Sequence, residues 1–174
     1  VWANGEKITA KDYEFSWKTL VTNNKAAFRT QAKVIVNATE IMDGVADVST
    51  MGVKALDDDT LEVRLHTPYP AFLHMITVSS FFPIHEATYT QNQSEDYGIK
   101  PANIMENGPF LFDEYEVGSK IILKKNPNYW DAANVALDKV NIRVVPELTT
   151  QSVLFDQGEL DMIRIQGELA DIYN

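Results

Sequence analysis

Between Asn107 and Trp130 the chain carries a set of signals that leaves little freedom in how it folds. Asn107-Gly108-Pro109-Phe110 is a turn sequence, because glycine and proline each favour backbone angles that a strand or helix interior does not use. Phe110 and Phe112 then alternate with Leu111 and Asp113, and Glu116-Val117-Gly118-Ser119 supplies turn chemistry. Lys120 to Lys125 returns as a second strand, and Asn126-Pro127-Asn128-Tyr129-Trp130 closes the block. Proline there ends the ladder, since it has no N–H to donate. A turn, a hairpin and an aromatic landing point in this order predict an antiparallel ribbon pressed on a larger body.

The remaining segments are mixed. Asn4-Gly5 is a turn signal before Thr9-Ala10-Lys11-Asp12, which reads as a helix start with Asp12 reaching back to the cap. Tyr13, Trp17, Leu20 and Val21 follow at i, i+4, i+7 and i+8, an amphipathic stripe that ends near Thr22-Asn23-Asn24. Ile35, Ala38, Ile41 and Met42 share one face of a second expected helix, closing at Asp43-Gly44. Val53 to Leu65 predicts a hairpin around Asp57-Asp58-Asp59-Thr60, with Leu61, Val63 and Leu65 on its buried face. The apolar run Ala71 to Ile84 is too short to span a bilayer and predicts a buried helix or strand. A lobe boundary is expected near Ser79 to Pro83, with another break in the polar run Thr90 to Asp96. Val140, Ile142 and Val144 alternate as a strand, and Thr149 is placed to cap a short helix with Val153, Leu154 and Phe155, stopped by Gly158. Leu160 to Ile163 reads as a buried strand emerging into Arg164.

Charge and residue usage exclude several function classes. Fifteen basic against twenty-five acidic residues give a net charge of −10, which disfavours non-specific binding to nucleic acid or anionic lipid. The absence of cysteine removes disulfides, thiolate nucleophiles and cysteine-ligated zinc. Asp57-Asp58-Asp59 lacks the carboxylate spacing of a calcium loop and reads as turn chemistry. His66, His74 and His85 have no i, i+4 pairing for zinc, and no serine sits in nucleophile-elbow spacing. No phosphate-cradling glycine loop is present, so neither catalytic residues nor a cofactor is expected. Val1-Trp2 opens the chain without initiator Met or signal region, and both ends read as cuts through a longer polypeptide.

Read together, these segments resemble the extracytoplasmic solute-binding proteins of peptide ABC importers, the oligopeptide- and dipeptide-binding family. The resemblance is carried by Trp2 to Tyr13 with Phe15-Ser16-Trp17, by Gly52 to Asp58 with Thr60 to Val63, by the Asn107 to Trp130 block, and by Gly158-Glu159-Leu160-Asp161. It implies a mixed α/β fold with hairpins and helices interleaved, part of a two-lobed periplasmic-binding-protein-like architecture. Residues 1–83 would then be part of a small α/β subdomain, and residues 84–174 part of the first ligand-binding lobe, with the second lobe outside this chain. The implied partners are a peptide ligand and the permease and ATPase subunits of an importer. The implied location is extracytoplasmic, either periplasmic or held at the membrane by a lipid on the parent chain. Nickel chelates, haem, opines or glycans are alternative cargos on such a scaffold, and a peptide-pheromone receptor subunit is an alternative role.

The resemblance also places the expected ligand contacts. Met162 to Gly167 would expose backbone groups to which an extended peptide adds as a strand, so Arg164, Ile165 and Gln166 are expected to touch ligand. Relatives carry Tyr and Asn where this chain has Arg164 and Ile165, so the backbone role carries over more directly than the side-chain roles. Phe28 and Arg29 align with another cleft-facing position. Tyr129 and Trp130, which could pass for a sugar-stacking platform, are expected to pack on the lobe, and Tyr13, Phe15 and Trp17 to form core.

Overall fold

A computed structural model describes residues 1–92, 97–98, 100–165, 167, 170 and 173. It is a mixed helix-and-strand structure falling into two compact units, Val1–Gly108 with Asn128–Trp130, and Pro109–Pro127 with Asp131–Asn174.

In the first unit, α1 (Ala10–Thr22) begins as its sequence predicts. The Asp12 carboxylate accepts from the Thr9 amide at 2.7 Å and from its hydroxyl at 3.0 Å, closing a capping box. Trp17, Leu20 and Val21 point inward, where they meet Ile35, Ala38, Ile41, Met51, Val53 and Phe81. The Trp17 indole N–H donates to the Phe81 carbonyl at 2.9 Å, and the two rings meet edge to face at 5.3 Å. Burying a tryptophan of this kind is worth about 3–5 kcal/mol against alanine. The unit is held around that residue.

The hairpin forms as β1 (Val53–Ala55) and β2 (Leu61–Val63), antiparallel with Val53 opposite Val63. Its tip is tied to the start of α1 by the Ala10 amide donating to the Asp58 carbonyl at 2.8 Å. The second expected helix is different. Residues Arg29–Val34 form a 3-10 helix, Ile35 makes a β-bridge with Leu65, and only Ala38–Met42 is α-helical (α2). The Ile35, Ala38 and Ile41 face is buried as expected, but the backbone in between pairs with the hairpin: Val36 N–H donates to the Arg64 carbonyl, and Gly52 N–H to the Val36 carbonyl. Asn37 takes a left-handed φ of 63°, which interrupts helical continuity.

The apolar run Ala71 to Ile84 is also broken up, into α3 (Phe72–Met75) and a 3-10 turn, Ser79–Phe81. Among its residues Phe81 alone is fully buried, because His74, Thr77, Ser79 and Ser80 interrupt any single apolar face. The first compact unit runs on past Pro83 to Gly108. Rings explain this: His85 packs against Trp2 at 5.4 Å, and Tyr89 of α4 (Glu86–Gln91) against Phe15 at 5.5 Å. Of the polar run Thr90 to Asp96, residues 93–96 lie outside the described residues.

The second unit is built on three antiparallel strands in the order β3-β4-β5: β3 (Phe110–Glu116), β4 (Lys120–Lys125) and β5 (Lys139–Arg143). A bulge lies between Phe112 and Glu114. Gly118 makes the tight turn at φ 73°, a region that costs other residues about 1–2 kcal/mol. Lys120–Glu114 and Lys124–Asp113 pair across β3 and β4 at 2.8 and 3.1 Å. Helix α5 (Leu148–Asp156) follows with Glu147 at its N-cap, so Thr149 lies inside the helix and does not cap it. The fully buried Asn126 ends the ribbon, its amide donating to the Pro109 carbonyl at 2.9 Å. Asn128 belongs to the first unit, where it donates to the Ala3 carbonyl at 3.0 Å. Tyr129 is half-buried, but Trp130 is 81% exposed, so it does not pack as expected.

Candidate ligand-contact segments

After α5 the chain turns through Gln157-Gly158-Glu159, where the Glu159 amide donates to the Leu154 carbonyl at 2.8 Å. The Glu159 carboxylate takes Arg143 Nη1 at 3.1 Å, which ties this turn to β5. From Asp161 to Ile165 no regular secondary structure forms, and the buried strand expected over Leu160 to Ile163 is not present. Met162 is 86% and Ile165 52% exposed. A strand needs a neighbour for its amides and carbonyls, and no described strand lies alongside this one.

Among the described residues, Met162, Ile163, Arg164 and Ile165 make no hydrogen bond through either backbone or side chain. Four consecutive residues therefore hold donors and acceptors that no described residue satisfies. Arg164 is exposed and Ile165 lies beside it, while Gln166 falls outside the described residues.

Phe28 and Arg29 sit in the first unit. Phe28 is 67% exposed and has a left-handed φ of 60°, unusual for a bulky side chain. It starts the 3-10 helix, its carbonyl accepting from Gln31 at 2.9 Å. Arg29 is half-buried and makes no ion pair among the described residues. Sequence periodicity carried no sign of the Phe28 backbone geometry.

The acidic tip of the first hairpin has structural employment. Asp57 accepts from the Asp59 amide at 2.9 Å, and that N–H, followed by the Thr60 side chain, holds its carboxyl below the usual range. Asp59 pairs with Lys7 at 2.9 Å. Beside it an apolar groove of about 610 Å³ is lined by Tyr13, Trp17, Leu61, Val63, Phe72 and Ile76. His85 is an N-cap: its Nδ1 accepts from the Thr88 amide at 3.2 Å, while Nε2 lies 2.6 Å from Glu6. Neither the groove nor the His85–Glu6 pair was foreseen, because both join residues far apart in sequence. His66 and His74 are exposed, and among the described residues no cluster of three potential ligands could hold a metal ion. No described helix is long and apolar enough to cross a membrane.

The chain belongs to the bacterial extracellular solute-binding proteins, family 5 Middle, whose family model matches residues 1–173. That family consists of solute-binding proteins rather than enzymes. The chain is 35% identical over 171 residues to the probable deoxycholate-binding periplasmic protein YgiS of Escherichia coli (strain K12), covering 96% of this chain and 31% of YgiS. The structure of an oligopeptide ABC transporter substrate-binding domain from Bacillus anthracis str. Ames superposes with a TM-score of 0.91 at 36% identity, over 99% of this chain and 33% of that one. The peptide-binding pheromone receptor PrgZ superposes with a TM-score of 0.90 at 32% identity, over 99% and 35%. The chain thus spans about a third of the length of these relatives.

Proposed function

We propose that the full-length protein is the substrate-binding component of an ABC importer and captures oligopeptides outside the cell membrane. The observation that carries this reading is the largely exposed run Met162 to Ile165, whose backbone groups are unbonded among the described residues. An extended peptide can pair with such groups through its own main chain, which makes binding tolerant of side-chain identity. Arg164, Ile165 and Gln166 are the proposed contacts. Phe28 and Arg29 are a separate proposal, in which the exposed Phe28 ring supplies apolar contact to ligand and its strained backbone holds it there.

No bond is made or broken in this mechanism. Binding energy shifts a two-lobed protein toward its closed form through differential affinity for the two states. Energy for import comes from the partner ATPase, with the permease as the second partner. Residues 1–83 are assigned to a small subdomain and residues 84–174 to part of the first lobe, and the protein is assigned to the periplasm or to a lipid anchor outside the membrane. The likeness to PrgZ supports a second reading, a peptide-pheromone receptor subunit built on the same scaffold. The likeness to YgiS makes a steroid acid a cargo to test beside peptides.

Calorimetry on full-length protein, with a mixed peptide library and deoxycholate as separate titrants, tests the reading. Heat from the peptides alone is the expected result. Heat from deoxycholate with none from peptides would overturn it.

A further inference from the structure

Most basic residues of the second unit have a described partner, and the exceptions are informative. That unit has six basic residues: Lys120, Lys124, Lys125, Lys139, Arg143 and Arg164. Lys120 is paired with Glu114 at 2.8 Å, Lys124 with Asp113 at 3.1 Å and Arg143 with Glu159 at 3.1 Å. Lys125 donates to the Val135 carbonyl at 2.8 Å. Lys139 and Arg164 alone have no partner among the described residues. Lys139 stands opposite Lys124 in the sheet, so its freedom follows from a like-charged neighbour. Arg164 has no such reason. In a chain carrying −10, with Asp161 only three positions away, a guanidinium with no partner among the described residues is conspicuous.

Arg164 also sits in the middle of the segment whose backbone is unbonded, with the exposed Met162 and Ile165 on either side. Resting on the peptide-binding reading above, we infer that Arg164 selects among peptides and gives the site a preference for a carboxylate on the guest, from an acidic side chain or the C-terminus. Arginine suits this task because its planar fork meets a carboxylate with two parallel hydrogen bonds and keeps its charge at every physiological pH. The net −10 opposes the approach of an anionic guest at long range. That repulsion is screened beyond about 8 Å at physiological ionic strength, so at contact the local cation decides.

The test uses the full-length protein and a set of pentapeptides of one apolar composition, in which a single Glu or its Gln counterpart is scanned through every position. A further set carries free or amidated C-termini. Calorimetry is expected to show at least one position, or the free C-terminus, where the carboxylate binds about fivefold or more tightly, as befits one partly desolvated ion pair. Raising the salt concentration should narrow the gap. In the Arg164→Gln protein each Glu peptide and its Gln counterpart should bind alike, and Arg164→Lys should retain part of the preference. Peptides that bind equally well with and without a carboxylate would overturn this inference and leave the peptide-binding reading standing. A preference that survives Arg164→Gln would also overturn it. No binding by any peptide would sink the reading itself and this inference with it.

Discussion

Gly52 shows how one residue can hold a unit together by having no side chain. A Cβ built there would lie 2.7 Å from the Arg64 carbonyl oxygen and 2.9 Å from the Val36 Cβ, with backbone on one side and a half-buried side chain on the other. Neither neighbour can yield, since Gly52 also donates to the Val36 carbonyl and accepts from the Arg64 amide. Gly52→Ala should therefore lower stability by about 1–3 kcal/mol, the usual cost of overpacking, read as a lower midpoint in chemical denaturation. A midpoint unchanged from the parent protein would contradict the close packing described here. None of this was legible from the chain, where Gly52 reads only as a residue before a strand. What decides its role is Val36 and Arg64 arriving from either side, and such long-range neighbours leave no local mark. Phe28 is a similar case, since phenylalanine gives no hint of a left-handed backbone.

Among elements, those with a strict period and a local stop were the ones readable in advance. Helix α1 carries a stripe at helical spacing and a cap three residues from its partner, and it forms from Ala10 to Thr22 as read. The hairpins follow from period-two alternation around turn residues, and β5 from the alternation of Val140 and Ile142. Residues 35–42 were only partly read because four apolar positions fit a helical face, although Ile35 serves a β-bridge and the helix begins at Ala38. The Leu160 to Ile163 strand failed for another reason: apolar character proposes a strand, but only a partner makes one. Replacement of the capping acid tests the best-read element. Asp12→Ala frees the Thr9 amide and should cost about 1 kcal/mol, with circular dichroism showing α1 fraying first on heating. A melting temperature equal to that of the parent protein would mean the capping box contributes nothing.

At the scale of the whole molecule, the buried apolar residues of the described structure all belong to the first unit. Its stability is also tied to carboxylates. The Glu6 carboxyl is held below its ordinary value of 4.5, first by the Asn4 side chain and then by His85. Asp57 is lowered by the Asp59 amide, and Asp47 by the Ser49 hydroxyl and amide. A group whose folded pKa is depressed adds stability above its unfolded value and loses it as the pH falls through the folded one. Unfolding midpoints should thus hold steady at neutral pH and decline once the pH drops below the ordinary carboxylate range. A decline beginning near pH 7 would point to another group. Family, mixed fold and hairpin order were legible at this scale because several motifs agreed in order. The unit boundary was not, since it depends on His85 and Tyr89 packing back on Trp2 and Phe15.

Hydrogen exchange on the full-length protein, with and without saturating peptide, reaches the central claim most directly. The amides of Met162 to Ile165, unbonded among the described residues, should exchange rapidly in the free protein and slow by tenfold or more, about 1.4 kcal/mol or greater, when a peptide pairs with them. Fast exchange there in both states, while calorimetry shows peptide bound, would contradict the account.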